Sequence, residues 1–187
     1  MKKTVLILLL AVVSIHAFSQ KGDLTVGTKG GYALSTEYYK GFLYGIDFAY
    51  HISDPLEIAF TGLMNNNISY ADMKYNKKRL AVYSSNLDFR LYLLHQREWA
   101  TGPALGGQYY IVDAKDVTTN LGYGPDKALG FNIGWHLRIN LTDYVKLNGG
   151  WRYTNVKFKD PNSQYNDTFD VSHHLIYLGI AYTFELR

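Results

Sequence analysis

Cysteine is absent from the 187 residues, which excludes disulfides, thiolate metal sites and attachment to a membrane through a lipidated cysteine. Proline is scarce, at four residues, so few positions forbid a β-ladder hydrogen bond. The apolar run at residues 5–13 is too short to cross a membrane as a helix, and no later stretch reaches the roughly 18 apolar residues that one needs. Charge is nearly balanced too: the formal +3 falls to about +1 once Lys2 and Lys3 are set aside with a leader, too little to mark a nucleic-acid partner. What the chain has in abundance is tyrosine and glycine, 17 of each, a composition of strands and tight packing.

The amino terminus has the three parts of a secretory signal. Lys2 and Lys3 are followed by the apolar run Val5 to Val13 and then by Ala17-Phe18-Ser19, with small residues where a signal peptidase inspects the chain. Cleavage is expected before Gln20, leaving residues 1–19 as a signal peptide and 20–187 as one exported domain. A short buried core helix is the alternative for the apolar run.

The clearest strand is Phe42 to Ile52. Phe42, Tyr44, Ile46, Phe48, Tyr50 and Ile52 alternate with Leu43, Gly45, Asp47, Ala49 and His51, so one face is large and apolar and the other mostly small or polar. Its length matches the roughly 9–11 residues with which a tilted strand crosses hydrocarbon. The same alternation recurs over residues 24–34, 56–64, 83–93, 99–111, 129–139, 145–153 and 176–184, making eight strands. Leu80 and Val82 fall out of phase with the fourth, which predicts a bulge near Ser84 and Ser85 or a strand top clear of lipid. Pro103 interrupts the fifth. Connections at 53–55, 94–98 and 141–144 are short, while those at 65–78, 113–127 and 159–172 are long. Short turns on one side and long loops on the other are the habit of an outer-membrane barrel. The expectation is therefore an all-β, eight-stranded antiparallel up-and-down transmembrane β-barrel.

Lys29, Asp47, Glu57, Asp88, Arg90, His136, Arg138, Lys146 and Arg152 all lie opposite the apolar rows. In a membrane they must point inward, because Arg or Lys on the lipid side costs roughly 2–4 kcal/mol at mid-depth. An eight-stranded barrel is just wide enough for side chains to fill, so acids and bases are expected to pair in a packed polar lumen without a wide pore. Tyr32, Phe42, Tyr50, Trp99, Tyr109, Trp135, Trp151, Tyr153, Tyr182 and Phe184 are expected to form aromatic girdles at the headgroup boundaries. A soluble exported barrel with its aromatics around a ligand cavity would reverse the two faces.

Other motifs carry less chemistry. The rings of His173 and His174 should point to opposite faces and so cannot share a metal. Asp160, Asn162, Gln164 and Asp167 resemble a calcium loop but lack its sixth-position glycine, and Val171 stands in place of the closing glutamate. Lys74, Lys77, Lys78 and Arg79 gather where a loop could meet lipopolysaccharide phosphates or merely solvent. Residues 102–107, GPALGG, open no helix and are no phosphate cradle. Ser84, Asp88 and His136 supply the residue types of a hydrolase triad without its spacing. No catalytic residue, metal site or cofactor is expected.

With its leader, the opening Val26-Gly27-Thr28-Lys29-Gly30-Gly31-Tyr32, the alternating strands and the closing Leu178-Gly179-Ile180-Ala181-Tyr182-Thr183-Phe184, the chain resembles the OmpA/OmpX-like family of small outer-membrane β-barrels. The resemblance covers all of residues 20–187. It implies residence in the outer membrane of a Gram-negative bacterium and contact with outer-membrane lipid and lipopolysaccharide. It also implies insertion by the barrel-assembly machinery, which reads an aromatic such as Phe184 near the end of the last strand. A monomeric, non-enzymatic protein is expected, with external loops for surface structure or for a partner. A lipid-A-modifying enzyme on the same scaffold, or a soluble ligand-binding barrel, are the competing functions.

Overall fold

Alternating residues can satisfy two unlike surroundings only if the sheet closes, since an open edge in lipid would leave backbone donors and acceptors unpaired. The computed structural model, which describes residues 22–35, 39–71, 77–116, 122–159 and 168–185, shows that closure. Eight long strands follow in sequence order: β1 (Asp23–Ser35), β2 (Tyr39–Ser53), β3 (Leu56–Ala71), β4 (Lys77–Leu91), β5 (Trp99–Asp116), β6 (Gly122–Asn140), β7 (Val145–Lys159) and β8 (His173–Glu185). Each pairs antiparallel with the next, and β8 pairs with β1 from Ser35↔His173 to Asp23↔Glu185. Two short segments add local pairs: Leu94–His95 against β5, and Thr168–Asp170 against the end of β7.

The strands outrun the lengths read from hydropathy. Residues 65–71 and 77–78 extend the β3–β4 hairpin, and 113–116 and 122–127 extend β5 and β6, where long loops were expected. Alternation fades there because a strand that has left hydrocarbon no longer needs an apolar outer row. The ladder continues regardless. Lys159 likewise belongs to β7, and 168–170 pair within the expected third loop. The calcium-like stretch 160–167 lies outside the described residues, as does Lys74.

The irregularity expected near Ser84 and Ser85 is on the neighbouring strand instead. β4 runs in unbroken register with β5, whereas the β3–β4 register shifts between Asn65 and Ile68, placing the extra residue in β3. Val82 is out of phase because it points inward into an apolar cluster, as described below. Pro103 sits in β5 opposite Trp135 of β6. On its other side the β4 ladder ends at Arg90↔Ala104 and the Leu94–His95 segment begins at Thr101, so proline occupies a gap between two pairings.

Apolar side chains form the outer wall. Phe42, Ile46, Phe60, Leu87, Leu105, Phe131, Ile133 and Leu178 are all exposed, whereas the alternate positions are buried. This band covers residues 42–50 of β2, 129–139 of β6 and 176–184 of β8, close to the roughly 9–11 residues that span a bilayer.

Close approach of paired strands in the narrow barrel needs missing side chains at a few inward positions. A Cβ on Gly106 would run first into the backbone carbonyl oxygen of Leu87 and would lie 2.6 Å from Asp88 Oδ1. Gly106→Val is expected to push β5 away from the β4 backbone at Leu87, displace the Asp88 side chain and cost about 1–3 kcal/mol, measured as a lowered urea midpoint in lipid vesicles. Gly107→Val, whose Cβ would meet nothing within 4 Å, should leave that midpoint in place.

Candidate functional site

The lumen has two storeys. At the side of the short turns, inward residues of β1 to β4 bring opposite charges together because strand register sets them on neighbouring rows. Lys29 Nζ donates to Asp47 Oδ1 at 2.8 Å. Arg90 forks between two carboxylates, with Nη2 2.8 Å from Asp47 Oδ1 and Nη1 2.6 Å from Glu57 Oε1. The Thr61 hydroxyl donates to Asp47 at 2.5 Å, and the Tyr92 hydroxyl donates to Glu57 Oε2 at 3.2 Å. His51 Nε2 is 3.0 Å from Glu57 Oε2, and Arg138 Nη1 is 3.5 Å from that same oxygen. The Arg138 guanidinium also lies over the Tyr92 ring, 4.4 Å from its centroid.

Higher in the lumen, Arg152 forms an ion pair with Asp88. His136 Nδ1 meets the Tyr177 hydroxyl at 3.0 Å, and the ring of Tyr177 faces Lys29 Nζ at 4.7 Å. Lys146 is buried on the turn side, in register with Asn140 and Ala181. All nine ionisable residues singled out from the alternation are thus buried, and all but Lys146 take part in these contacts. Asp88 is engaged by Arg152 and His136 by Tyr177, so Ser84, Asp88 and His136 do not line up as a nucleophile–base–acid chain.

At the side of the long loops the lumen turns apolar. Leu43, Leu63, Val82, Val112, Val156, Phe158 and Leu175 are buried in one cluster with Ala33, Tyr110, Val171 and Tyr177. A polar lumen was expected throughout. The correction has a simple cause: inward charges reach no higher than the Arg152–Asp88 pair, and above it the small barrel is filled mainly by apolar side chains. His173 is enclosed beside this cluster, its Nε2 3.1 Å from the Tyr110 hydroxyl and its Nδ1 3.0 Å from the Val171 carbonyl oxygen. His174 points the other way and stacks on Trp151 outside, with ring centroids 5.6 Å apart. The two rings cannot hold one ion.

Alternation also missed His51, Thr61 and Tyr177 as partners of the charged groups, and Tyr110 as the partner of His173. Their inward phase was readable, but their role depends on which strands become neighbours.

The ten aromatics assigned to girdles lie on the outer wall, but not all at its rims. Tyr50, Trp99, Tyr182 and Phe184 belong to the turn side, and Tyr32, Phe42, Tyr109 and Tyr153 to the loop side, with Trp151 two residues below Tyr153. Trp135 is four residues inside Ile139, in the middle of the band. It is tolerated there because its indole N–H donates to Thr101 Oγ1 at 2.6 Å, while the Thr101 hydroxyl donates to the His136 carbonyl at 2.9 Å.

The family described as outer membrane protein beta-barrel domain matches residues 5–184. No curated protein matches in sequence. Among solved structures the chain is similar to the amino-terminal β-barrel domain of OprF from Pseudomonas aeruginosa, with a TM-score of 0.58 at 14% identity over 88% of this chain and 98% of that one. Neisserial surface protein A gives 0.57 at 17% identity, covering 88% and 98%. A major outer membrane protein from Thermus thermophilus gives 0.55 at 14% identity, covering 87% and 99%. At these identities the likeness speaks for the fold.

Proposed function

Because the chain belongs to the outer membrane protein beta-barrel family, we propose that it is a non-enzymatic integral outer-membrane protein whose filled lumen holds the barrel together while its loop side serves the cell surface. The observation that carries this reading is the doubly closed interior: ion pairs at the turn side and the Leu43–Leu63–Phe158–Leu175 cluster at the loop side. Among the described residues both storeys are filled by buried side chains, as suits a barrel of eight strands. The strands of the β3–β4 and β5–β6 hairpins extend past the apolar band, which suits contact with a surface partner.

In this reading residues 1–19 are removed on export, the loops face outward, and the barrel-assembly machinery inserts the chain by reading Phe184. Phe184 is exposed on the outer wall near the end of β8, where such a reader could reach it. Lipopolysaccharide and phospholipid surround a monomeric barrel.

Reconstituted in planar bilayers, the protein is expected to show no steady conductance of porin size; a persistent wide open state would overturn the closed-lumen reading. Mass spectra of lipid A from cells with and without the protein should coincide, and a new acyl or headgroup mass would favour an enzyme instead. Extraction only by detergent, with a heat-dependent shift in gel migration, is expected of the membrane barrel and not of a soluble one.

A further inference from the structure

The outer wall is not uniformly convex. In the row that runs Ile46↔Gly62↔Ser85↔Tyr109 across β2 to β5, two adjacent positions carry almost no side chain. On the loop side of that row stand Met64 and Tyr83, paired with each other across β3 and β4. These residues line a groove of about 340 Å³. Its lining is almost wholly apolar, and it lies in the half of the band nearer the loops.

Ser85 is the unusual member. Outward aliphatic hydroxyls within the band are few: Thr28, Ser85 and Thr101. Thr101 is engaged by Trp135 and the His136 carbonyl. Among the described residues neither the Thr28 hydroxyl nor the Ser85 hydroxyl has a hydrogen-bond partner, and of the two residues only Ser85 lies in the groove. A hydroxyl facing hydrocarbon is costly unless something in the hydrocarbon answers it.

We propose that this groove is a binding site for one hydroxylated acyl chain of an outer-leaflet lipid A molecule, with the chain's hydroxyl paired to Ser85. The occupant follows from the surroundings. The groove is continuous with the lipid-facing wall, so it takes an acyl chain rather than a soluble ligand, and a plain acyl chain would leave Ser85 unanswered. Placing it in the outer leaflet rests on the orientation proposed above, with long loops outside.

Gly62 allows a selective test, because a Cβ there would meet only Ile46 Cγ1, at an ordinary 3.8 Å. Gly62→Phe therefore fills the groove from the lipid side without pressing on the barrel, and Gly107→Phe, on open wall, is its control. Wild type and the variants Gly62→Phe, Ser85→Ala and Gly107→Phe would be purified in detergent and stripped of lipid. Each would be titrated, with native mass spectrometry as the readout, against lipid A and against dimyristoyl phosphatidylethanolamine, which lacks acyl hydroxyls.

Wild type and Gly107→Phe are expected to bind one lipid A, with about tenfold preference over the phospholipid. Gly62→Phe should lose about tenfold in lipid A affinity. Ser85→Ala should keep a single bound lipid but lose most of the preference, which separates acyl recognition from headgroup recognition. Wild-type lipid A affinity in Gly62→Phe, or an unchanged preference in Ser85→Ala, would overturn the proposal. Heat-dependent gel migration of every variant reads the barrel separately, so failure of the membrane reading and failure of the groove are distinguishable.

Discussion

Arg90→Met is expected to destabilise the barrel by about 3–5 kcal/mol, because removing one partner of a buried ionic group leaves uncompensated charge behind. The loss should be at the upper end of that range here. Arg90 is buried and serves Asp47 and Glu57 at once, so its removal strands two carboxylates, one of which keeps Lys29 and the other only His51, Tyr92 and the more distant Arg138. Urea unfolding in lipid vesicles, followed by tryptophan fluorescence, measures it. Arg90→Lys should fall between wild type and Arg90→Met, since a single ammonium keeps the charge but cannot reproduce a fork that holds Asp47 with both nitrogens and Glu57 with one of them. An Arg90→Met barrel as stable as wild type would mean that the ionic storey does not hold the strands together.

The second large effect is on the opposite face. Leu178→Arg should cost about 2–4 kcal/mol, because arginine there meets hydrocarbon. Leu178 is 65% exposed and stands between Gly30 of β1 and Gly149 of β7, so no neighbouring side chain in its row shelters the charge. Phe184→Arg, at the turn-side rim of the same strand, should cost only about 0–1 kcal/mol, since the guanidinium there reaches headgroups. The same vesicle unfolding experiment reads both variants. Equal costs at the two depths would contradict an outer wall immersed in lipid.

Strand alternation made the eight-stranded plan and the two faces legible from the residues alone. In β2 and β6 the apolar row is unbroken for nine residues or more, and nothing but a sheet exposed to two unlike media requires that. The turn at Asp54-Pro55 was readable for a local reason too, because proline fixes its own φ and aspartate caps the bend. The extents of β3 to β6 were not readable. At residues 65–71 and 122–127 the strand continues through its ladder, and hydropathy carries no trace of a ladder. The apolar storey did leave a trace. Leu43 and Val82 were visibly greasy on faces otherwise small or polar, and both belong to it. Their meaning depends on height within the barrel, which emerges only when eight registers are combined. For the same reason Tyr177 could not be tied to His136, which is 41 positions away on a strand two removed.

The seam between β1 and β8 joins Asp23 to Glu185 and Ser35 to His173, across nearly the whole described chain. Every other ladder in the wall is a hairpin between sequence neighbours. Assembly therefore begins with cheap local zippering and ends with one expensive long-distance stitch, which is the slowest kind of contact for a chain to find unaided. Until that stitch is made, two unpaired borders are exposed to any other partly built copy, so crowding at that stage invites tangled multimers instead of finished cylinders.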